Sequence, residues 1–325
     1  MTEYRRLGTS GLVVSTIGLG CNNLGRPNTP TATQEGTDEV IHAAIDAGVT
    51  LFDVADIYGA TPGLSEEMLG KALKGRRDEV VLATKFGMDM GGANGADFGA
   101  RGSRGYIVRA VEASLRRLGT EWIDLYQFHT PDDLTPIDET LRALDDLVTA
   151  GKIRYIGHSN RTGWQIAEAE FTARALGTER FISSQNHYNL LDRRAELEVL
   201  PAARAYGLGV LPYFPLANGF LTGKYAPDRV PEGSRLSHTR QHMVSDADWE
   251  QMGQYSAFAR ERGLSEVEVA FSWLLAQEPV SSVIAGATRP EQIRQNAEAV
   301  TARLSTEDLA ALDEIFPTVP KVALF

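Results

Sequence analysis

Three observations predict an α/β fold, a closed (β/α)8 TIM barrel, for this 325-residue chain. Eight short apolar runs alternate with longer helical patterns, the order of strand–helix units in series. Most of the runs are apolar throughout rather than alternating, as parallel strands covered on both faces require. The doubly wound alternative places a Gly-x-Gly-x-x-Gly turn after its first strand. Here that turn reads Gly18-Leu19-Gly20-Cys21-Asn22-Asn23, with asparagine in the last glycine position. Length alone also allows two ordinary domains. No composition shift, repeat or low-complexity linker divides the chain, so one barrel domain over 1–325 is expected.

Residues 4–14 alternate around Gly8-Thr9-Ser10-Gly11 and read as an N-terminal β-hairpin. Barrel strands are expected at 16–20, 50–54, 80–85, 123–128, 153–157, 181–185, 209–213 and 282–285. Between the first two, Val40, Ala44 and Ala47 recur at helical spacing over 37–47, and Gly48 is a natural stop. Ser65 is the expected N-cap of the next helix, with Glu66 and Glu67 in its first turn. Helices at 103–118 and 136–150 stop at Gly119 and Gly151, and the second opens on Pro136. Further helices fit 162–176, 194–206, 247–262, 265–277, 290–300 and 305–316, and 317–325 is a tail. Two long loops exceed the barrel minimum: 87–105, with seven glycines, and the polar stretch 217–245. Loops of this length at the C-terminal face are usually functional or mobile, and the glycines point to mobility.

Composition narrows the function classes. Hydrophobic residues make up 43% and charged residues 23%, which is globular and excludes wholesale disorder. No apolar run approaches the roughly 18–20 residues that span a bilayer. The opening Met1-Thr2-Glu3-Tyr4-Arg5-Arg6 lacks the apolar stretch of a signal peptide. A net charge of −11 argues against a nucleic-acid or anionic-membrane surface. The lone Cys21 forms no internal disulfide and no thiolate cluster, which fits a reducing, cytoplasmic setting.

Barrel enzymes keep their chemistry at the C-terminal ends of the strands. The second run delivers Asp53 there, with Tyr58 five residues on; the third delivers Lys85 and the fourth His129. Neighbouring parallel strands lie about 4.8 Å apart, so the four side chains can converge. A free tyrosine, with a pKa near 10, is a poor acid at neutral pH, and a nearby ammonium is expected to lower that value. The carboxylate holds the lysine charged, and the imidazole can orient a carbonyl oxygen. Such a set suits protonation of an oxygen while hydride reaches carbon, with Tyr58 as general acid. It contains no redox group, so the hydride must come from a cofactor.

From about Tyr4 to Val300 the chain closely resembles the aldo-keto reductase family. The resemblance is carried by Phe52-Asp53-Val54-Ala55-Asp56-Ile57-Tyr58-Gly59, Ser65-Glu66-Glu67-Met68-Leu69-Gly70 and Ala83-Thr84-Lys85. It continues through Ser114-Leu115-Arg116-Arg117-Leu118-Gly119, Asp124-Leu125-Tyr126-Gln127-Phe128-His129, Gly151-Lys152-Ile153-Arg154-Tyr155-Ile156-Gly157 and Ser159-Asn160. It implies a (β/α)8 barrel, a nicotinamide cofactor and reduction of a carbonyl to an alcohol. It also gives Tyr58 the acid's role, Lys85 and Asp53 its tuning, and His129 the carbonyl. The stretch Gly219-Phe220-Leu221-Thr222-Gly223-Lys224-Tyr225 resembles the bacterial subgroup akin to potassium-channel β-subunits.

Ser159, Asn160 and Gln185 can meet the nicotinamide carboxamide with both donors and acceptors, as the family's residues at these positions do. Taken alone, Ser159-Asn160 also reads as a helix N-cap. The Tyr213 ring can stack on the nicotinamide. Phe214, Pro215, Leu216, Ala217 and Gly219 resemble the family's pyrophosphate-side loop, with Phe214 where the family usually has serine. Gly286, Thr288, Arg289 and Gln292 match its positions around the adenosine 2′-phosphate, and Gln295 and Asn296 those at the adenine. Lys224 and Arg235 add positive charge. Cations against a net charge of −11 favour NADPH (NADP+) over NADH, for which a carboxylate at the ribose is commoner.

Substrate contacts are expected from Asn22, Asn23, Ile57, Phe86 and Met88, with His158 and Phe214 as further candidates. No arginine cluster occurs among these, so a phosphorylated or polyanionic substrate has no evident clamp. The expected partner is a small carbonyl compound, with no nucleic acid and no membrane, and nothing indicates a homo-oligomer. No metal is expected: of the six histidines only His129 and His158 fall at strand ends. A Schiff-base aldolase using Lys85 leaves the cofactor residues without a task. The alternative to an enzyme is a non-catalytic or weakly catalytic NADPH-binding regulatory protein of the same fold.

Overall fold

A computed structural model describes residues 2–318; of the expected tail, 319–325 lie outside the described residues. Strands β1 (Tyr4–Arg6) and β2 (Val13–Ser15) form the N-terminal hairpin, antiparallel as expected. Eight parallel strands follow: β3 (Ile17–Gly20), β4 (Leu51–Asp53), β5 (Val81–Phe86), β6 (Ile123–Phe128), β7 (Ile153–Ser159), β8 (Ser183–Gln185), β9 (Gly209–Val210) and β10 (Val283–Gly286). They pair in the order β10-β3-β4-β5-β6-β7-β8-β9. Parallel bridges Val210–Val280 and Tyr213–Ile284 join β9 back to β10 and close the barrel.

Crossover helices cover the strands: α1 (Gln34–Asp46), α2 (Leu64–Ala72), α3 (Arg104–Leu118), α4 (Ile137–Thr149), α5 (Gly163–Leu176) and α6 (Val199–Tyr206). Two short helices, α7 (Arg235–His238) and α8 (His242–Ser245), lie within the second long loop. Then come α9 (Trp249–Glu261), α10 (Glu266–Ala276), α11 (Pro290–Ala299) and α12 (Thr306–Ile315). Glycines 119, 177 and 207 end α3, α5 and α6 in left-handed conformations. Two expectations are corrected. Ser65 is not the N-cap of α2: Gly63 is, and the Ser65 hydroxyl donates to the Leu24 carbonyl at 2.6 Å. The helix expected over 194–206 breaks into a 3-10 turn, Arg194–Glu196, and α6, because Pro201 has no N–H to offer the Leu197 carbonyl.

Side chains alternate between the barrel interior and the layer under the helices. Leu51, Ala83, Leu125, Leu211 and Ile284 fill the lower interior, and Leu7 and Val14 of the hairpin cap them from below. Phe52, Phe86, Tyr126 and Phe128 face the other way, into the main core with Tyr106 and Ile107 of α3. The open upper end is therefore where inward polar residues collect. Among the described residues no helix is long and apolar enough to cross a membrane.

Candidate active site

The polar layer begins with an ion pair. Lys85 leaves β5 one pleat above Ala83, which pairs with Asp53 of β4. Its ammonium donates to Asp53 Oδ2 at 2.6 Å and to the Val54 carbonyl at 3.0 Å, with the two side chains 0% and 4% exposed. Asp53 Oδ1 accepts from Gln127 Nε2 at 3.0 Å and Gln185 Nε2 at 2.9 Å. The carboxylate is thus met on both oxygens, as a buried charge must be. Asp53 and Tyr58 together hold the Lys85 pKa above its ordinary value against the opposing effect of burial. Gln127 was not expected here; an inward amide on a central strand carries no signal that separates it from core.

Above this pair sit Tyr58 and His129. The Lys85 ammonium lies 5.3 Å from the centre of the Tyr58 ring. The Tyr58 and His129 rings meet edge-on at 5.8 Å. The expected lowering of the Tyr58 pKa is corrected: burial raises it, and the pull of Lys85 offsets only part of that rise. The phenol therefore stays protonated at neutral pH. Burial, helped by the Lys85 charge, pushes His129 down to about 3, so its ring is neutral, and its Nδ1 has no partner.

The cofactor candidates line the same end. Ser159 Oγ donates to the Gln185 carbonyl at 2.7 Å, and Asn160 Nδ2 to the His129 carbonyl at 3.0 Å. Helix α5 is capped by Thr162, so the reading of Ser159-Asn160 as an N-cap falls. Tyr213 donates to Asn160 Oδ1 at 2.8 Å, and its ring stacks on His187 at 5.4 Å. Gln185, expected at the carboxamide, commits its NH2 to Asp53. Ala217, Asn218 and Gly219 all have positive φ (46°, 61° and 92°), a strained run of the kind held at ligand clamps.

A nicotinamide dinucleotide would fit these residues on three observations. A Cβ on Gly286 would come within 2.8 Å of Asn23 Nδ2, so the backbone is left bare where Asn22 and Asn23 meet β10. Arg289, the N-cap of α11, is exposed and, like Lys224, has no carboxylate partner among the described residues. Asn218 Oδ1 is buried and unpartnered. Thr288 is tied to Gln292 Oε1 through its N–H (2.8 Å) and hydroxyl (3.2 Å). Gln295 is exposed and Asn296 buried, one on each side of α11.

A model of the Aldo/keto reductase family matches residues 16–316. The chain belongs to the aldo-keto reductases. It is 38% identical to the uncharacterized oxidoreductase YrpG of Bacillus subtilis, over 97% of this chain and 96% of the relative. It is 34% identical to an L-glyceraldehyde 3-phosphate reductase of Escherichia coli O157:H7, over 96% and 92%. A probable voltage-gated potassium channel subunit beta of rice is also 34% identical, over 98% of each chain.

In this aldo-keto reductase the substrate candidates divide. Asn22, Asn23 and Ile57 stand half-buried at the strand ends, and Met88 is 38% exposed in the first long loop. Phe86 and His158 are corrected: both are fully buried in the outer layer, because each points opposite to an inward neighbour. Phe86 stacks on Tyr126 and Phe128 at 4.7 and 4.9 Å, and His158 packs against Phe181. The glycine-rich loop is anchored at one point. Asn94, 4% exposed, donates to Asp56 Oδ2 at 3.0 Å and accepts from Arg117 at 3.2 Å. Asp56 lies two residues before Tyr58, and burial with the nearby Glu66 charge holds its carboxyl well above the usual range.

The substrate candidates themselves include no arginine, but arginines gather beside Phe214. Arg26, from the loop after β3, and Arg235 and Arg240, both from the second long loop, meet at the mouth with this ring. A groove of about 660 Å³ between α2 and α3, lined by Lys71, Lys74 and Arg116, lies on the flank and shares no residue with this mouth. Among the described residues no group of three or more His, Cys, Asp or Glu is placed to hold a metal.

Proposed function

We propose that the chain is an NADPH-dependent reductase that converts an aldehyde or ketone to the alcohol, with Tyr58 as general acid. One observation carries the reading. The phenol of Tyr58 is protonated, backed by a buried ammonium, and faced by a neutral imidazole. A carbonyl oxygen seated between Tyr58 and His129 would accept from both. His129, uncharged at any physiological pH, donates one N–H and orients that oxygen without competing as the acid. Tyr58 then gives up its proton as charge develops on the oxygen, and the Lys85 ammonium stabilises the phenolate left behind. Asp53, held by Gln127 and Gln185, keeps Lys85 charged and in place.

Bound NADPH would supply the hydride. Ser159, Asn160 and Tyr213 would hold the nicotinamide end, and Phe214, Pro215, Leu216, Ala217, Gly219, Lys224 and Arg235 the pyrophosphate side. Gly286, Thr288, Arg289 and Gln292 would take the 2′-phosphate, and Gln295 and Asn296 the adenine. The test is a panel of aldehydes and ketones followed at the NADPH absorbance band. Turnover by the native chain is expected, and its loss by at least a hundredfold in Tyr58→Phe, with NADPH still bound. Retention of activity within tenfold in that variant would sink the acid assignment. Saturable NADPH binding with no turnover across the panel would point to a regulatory protein instead.

A further inference from the structure

Three arginines converge at the mouth without a counter-charge. Arg26 follows the loop after β3, and the Gly25 carbonyl in that loop accepts from the Ala60 N–H at 3.1 Å, two residues past Tyr58. Its Nη1 donates only to Asn23 Oδ1, at 3.0 Å. Arg235 and Arg240 come from the other side, in the second long loop, and both guanidiniums pack on the Phe214 ring, at 5.3 and 5.1 Å from its centre. Arg26 and Arg240 are the charged neighbours of Arg235, and with burial they push it down to about 10.

Three partly buried arginines elsewhere in the fold hold a carboxylate, whereas, among the described residues, Arg5 bonds only to carbonyls and Arg161 lies beside aromatic rings. Arg77 meets Asp124 at 2.7 Å, Arg117 meets Glu66 at 2.6 Å and Arg193 meets Glu196 at 2.7 Å. Among the described residues, Arg26, Arg235 and Arg240 have none within 4 Å. Asp192, which like Arg240 acts by charge on His187, is taken by Arg194 at 2.6 Å and by His187. Like charges held together in a partly desolvated mouth are unfavourable until an anion joins them. Guanidinium forks match carboxylate and phosphate oxygens in pairs, which a lysine cannot do. Phe214, standing where the family usually has serine, is the ring on which two of the three rest.

We propose that Arg26 and Arg240, with Arg235 between them and the cofactor side, bind an anionic group, carboxylate or phosphate, carried by the carbonyl substrate. This rests on the reductase reading and adds to it a substrate class. Arg26 stands on the Tyr58 side of the mouth, where its neighbour Gly25 bonds to Ala60, so the anion would lie on that side as well.

The test compares matched pairs on the NADPH-loaded enzyme: succinic semialdehyde against butanal, and glyceraldehyde 3-phosphate against glyceraldehyde. The native chain is expected to favour the charged member of at least one pair tenfold or more in kcat/KM. Arg26→Gln and Arg240→Gln should each cut that preference at least tenfold, through KM, and Arg26→Lys should restore part of it. Absence of a preference in the native chain, or equal losses on charged and neutral members, would overturn the proposal. A matching loss of NADPH affinity in Arg26→Gln would assign the cluster to the cofactor's phosphates and overturn it as well. If neither member of any pair is reduced, the aldehyde and ketone panel decides the reductase reading, and calorimetry with succinate and glycerol 3-phosphate decides the anion site. Binding that weakens tenfold in Arg26→Gln supports it, and no binding overturns it.

Discussion

Replacing Lys85 by methionine should cost stability and activity for one electrostatic reason. The substitution keeps the length of the buried stem and removes the charge. Asp53 then keeps amide donors on Oδ1, from Gln127 at 3.0 Å and Gln185 at 2.9 Å, but Oδ2 loses its 2.6 Å partner in a site only 4% exposed. Breaking a buried pair from one side typically costs about 3–5 kcal/mol, because the remaining charge is stranded. Lys85→Met/Asp53→Asn removes both charges and should recover about 2 kcal/mol of that loss, within the usual range for coupled contacts. Urea unfolding followed by tryptophan fluorescence supplies the four stabilities of the cycle. Initial rates on the same proteins should fall at least about a hundredfold in Lys85→Met and stay low in the double variant, because Tyr58 has lost the cation that favours its phenolate. Two results refute this reasoning: losses that add within about 0.5 kcal/mol, or a Lys85→Met rate within tenfold of native.

Three further outcomes are expected. Arg289→Ala should weaken NADPH binding roughly tenfold or more, the scale of a lost charged hydrogen bond, and NADH far less; equal weakening in a fluorescence titration would displace the 2′-phosphate from this residue. His129 titrates near 3 in the fold against about 6.5 when unfolded. A proton taken up only by the unfolded chain removes stability as pH falls through that window, by about 1.4 kcal/mol per unit. The stability gap between the native chain and His129→Asn should therefore narrow by about 2 kcal/mol from pH 7 to 5, and a gap constant with pH would speak against a neutral His129. Asn94→Ala should cost about 1–3 kcal/mol by leaving the buried Asp56 carboxyl without its amide donor, and raise amide exchange across 87–105; unchanged exchange there would mean that the loop is held by other contacts.

The barrel was legible because its strands are buried on both faces, and a run such as Val81–Phe86 carries apolar side chains toward each of them. The four residues proposed for catalysis could be picked out because strand ends concentrate chemistry, so Asp53, Lys85 and His129 mark their own positions. Side-chain direction was harder to read. Phe86 and His158 sit one residue away from inward neighbours, and a shift of one along a strand reverses the face. Loop placement was harder still. Nothing local shows that Arg26 meets Arg235 and Arg240 across more than two hundred residues, or that Asn94 closes onto Asp56. The Tyr58 pKa went the other way from expectation because the charge of Lys85 is visible in sequence and the burial around the phenol is not.

Cys21 opens the turn after β3 with its side chain 1% exposed, its Sγ turned to the Leu19 carbonyl, and its thiol made less acidic by burial and by Asp53. A maleimide can reach this sulfur only when the end of β3 comes open. Its labelling rate, divided by that of an unfolded peptide, therefore reports the free energy of that opening. Because no other thiol competes, the chain carries its own stopwatch for the mouth of the barrel. Any ligand that settles against the catalytic layer would slow it, whether or not a reaction follows.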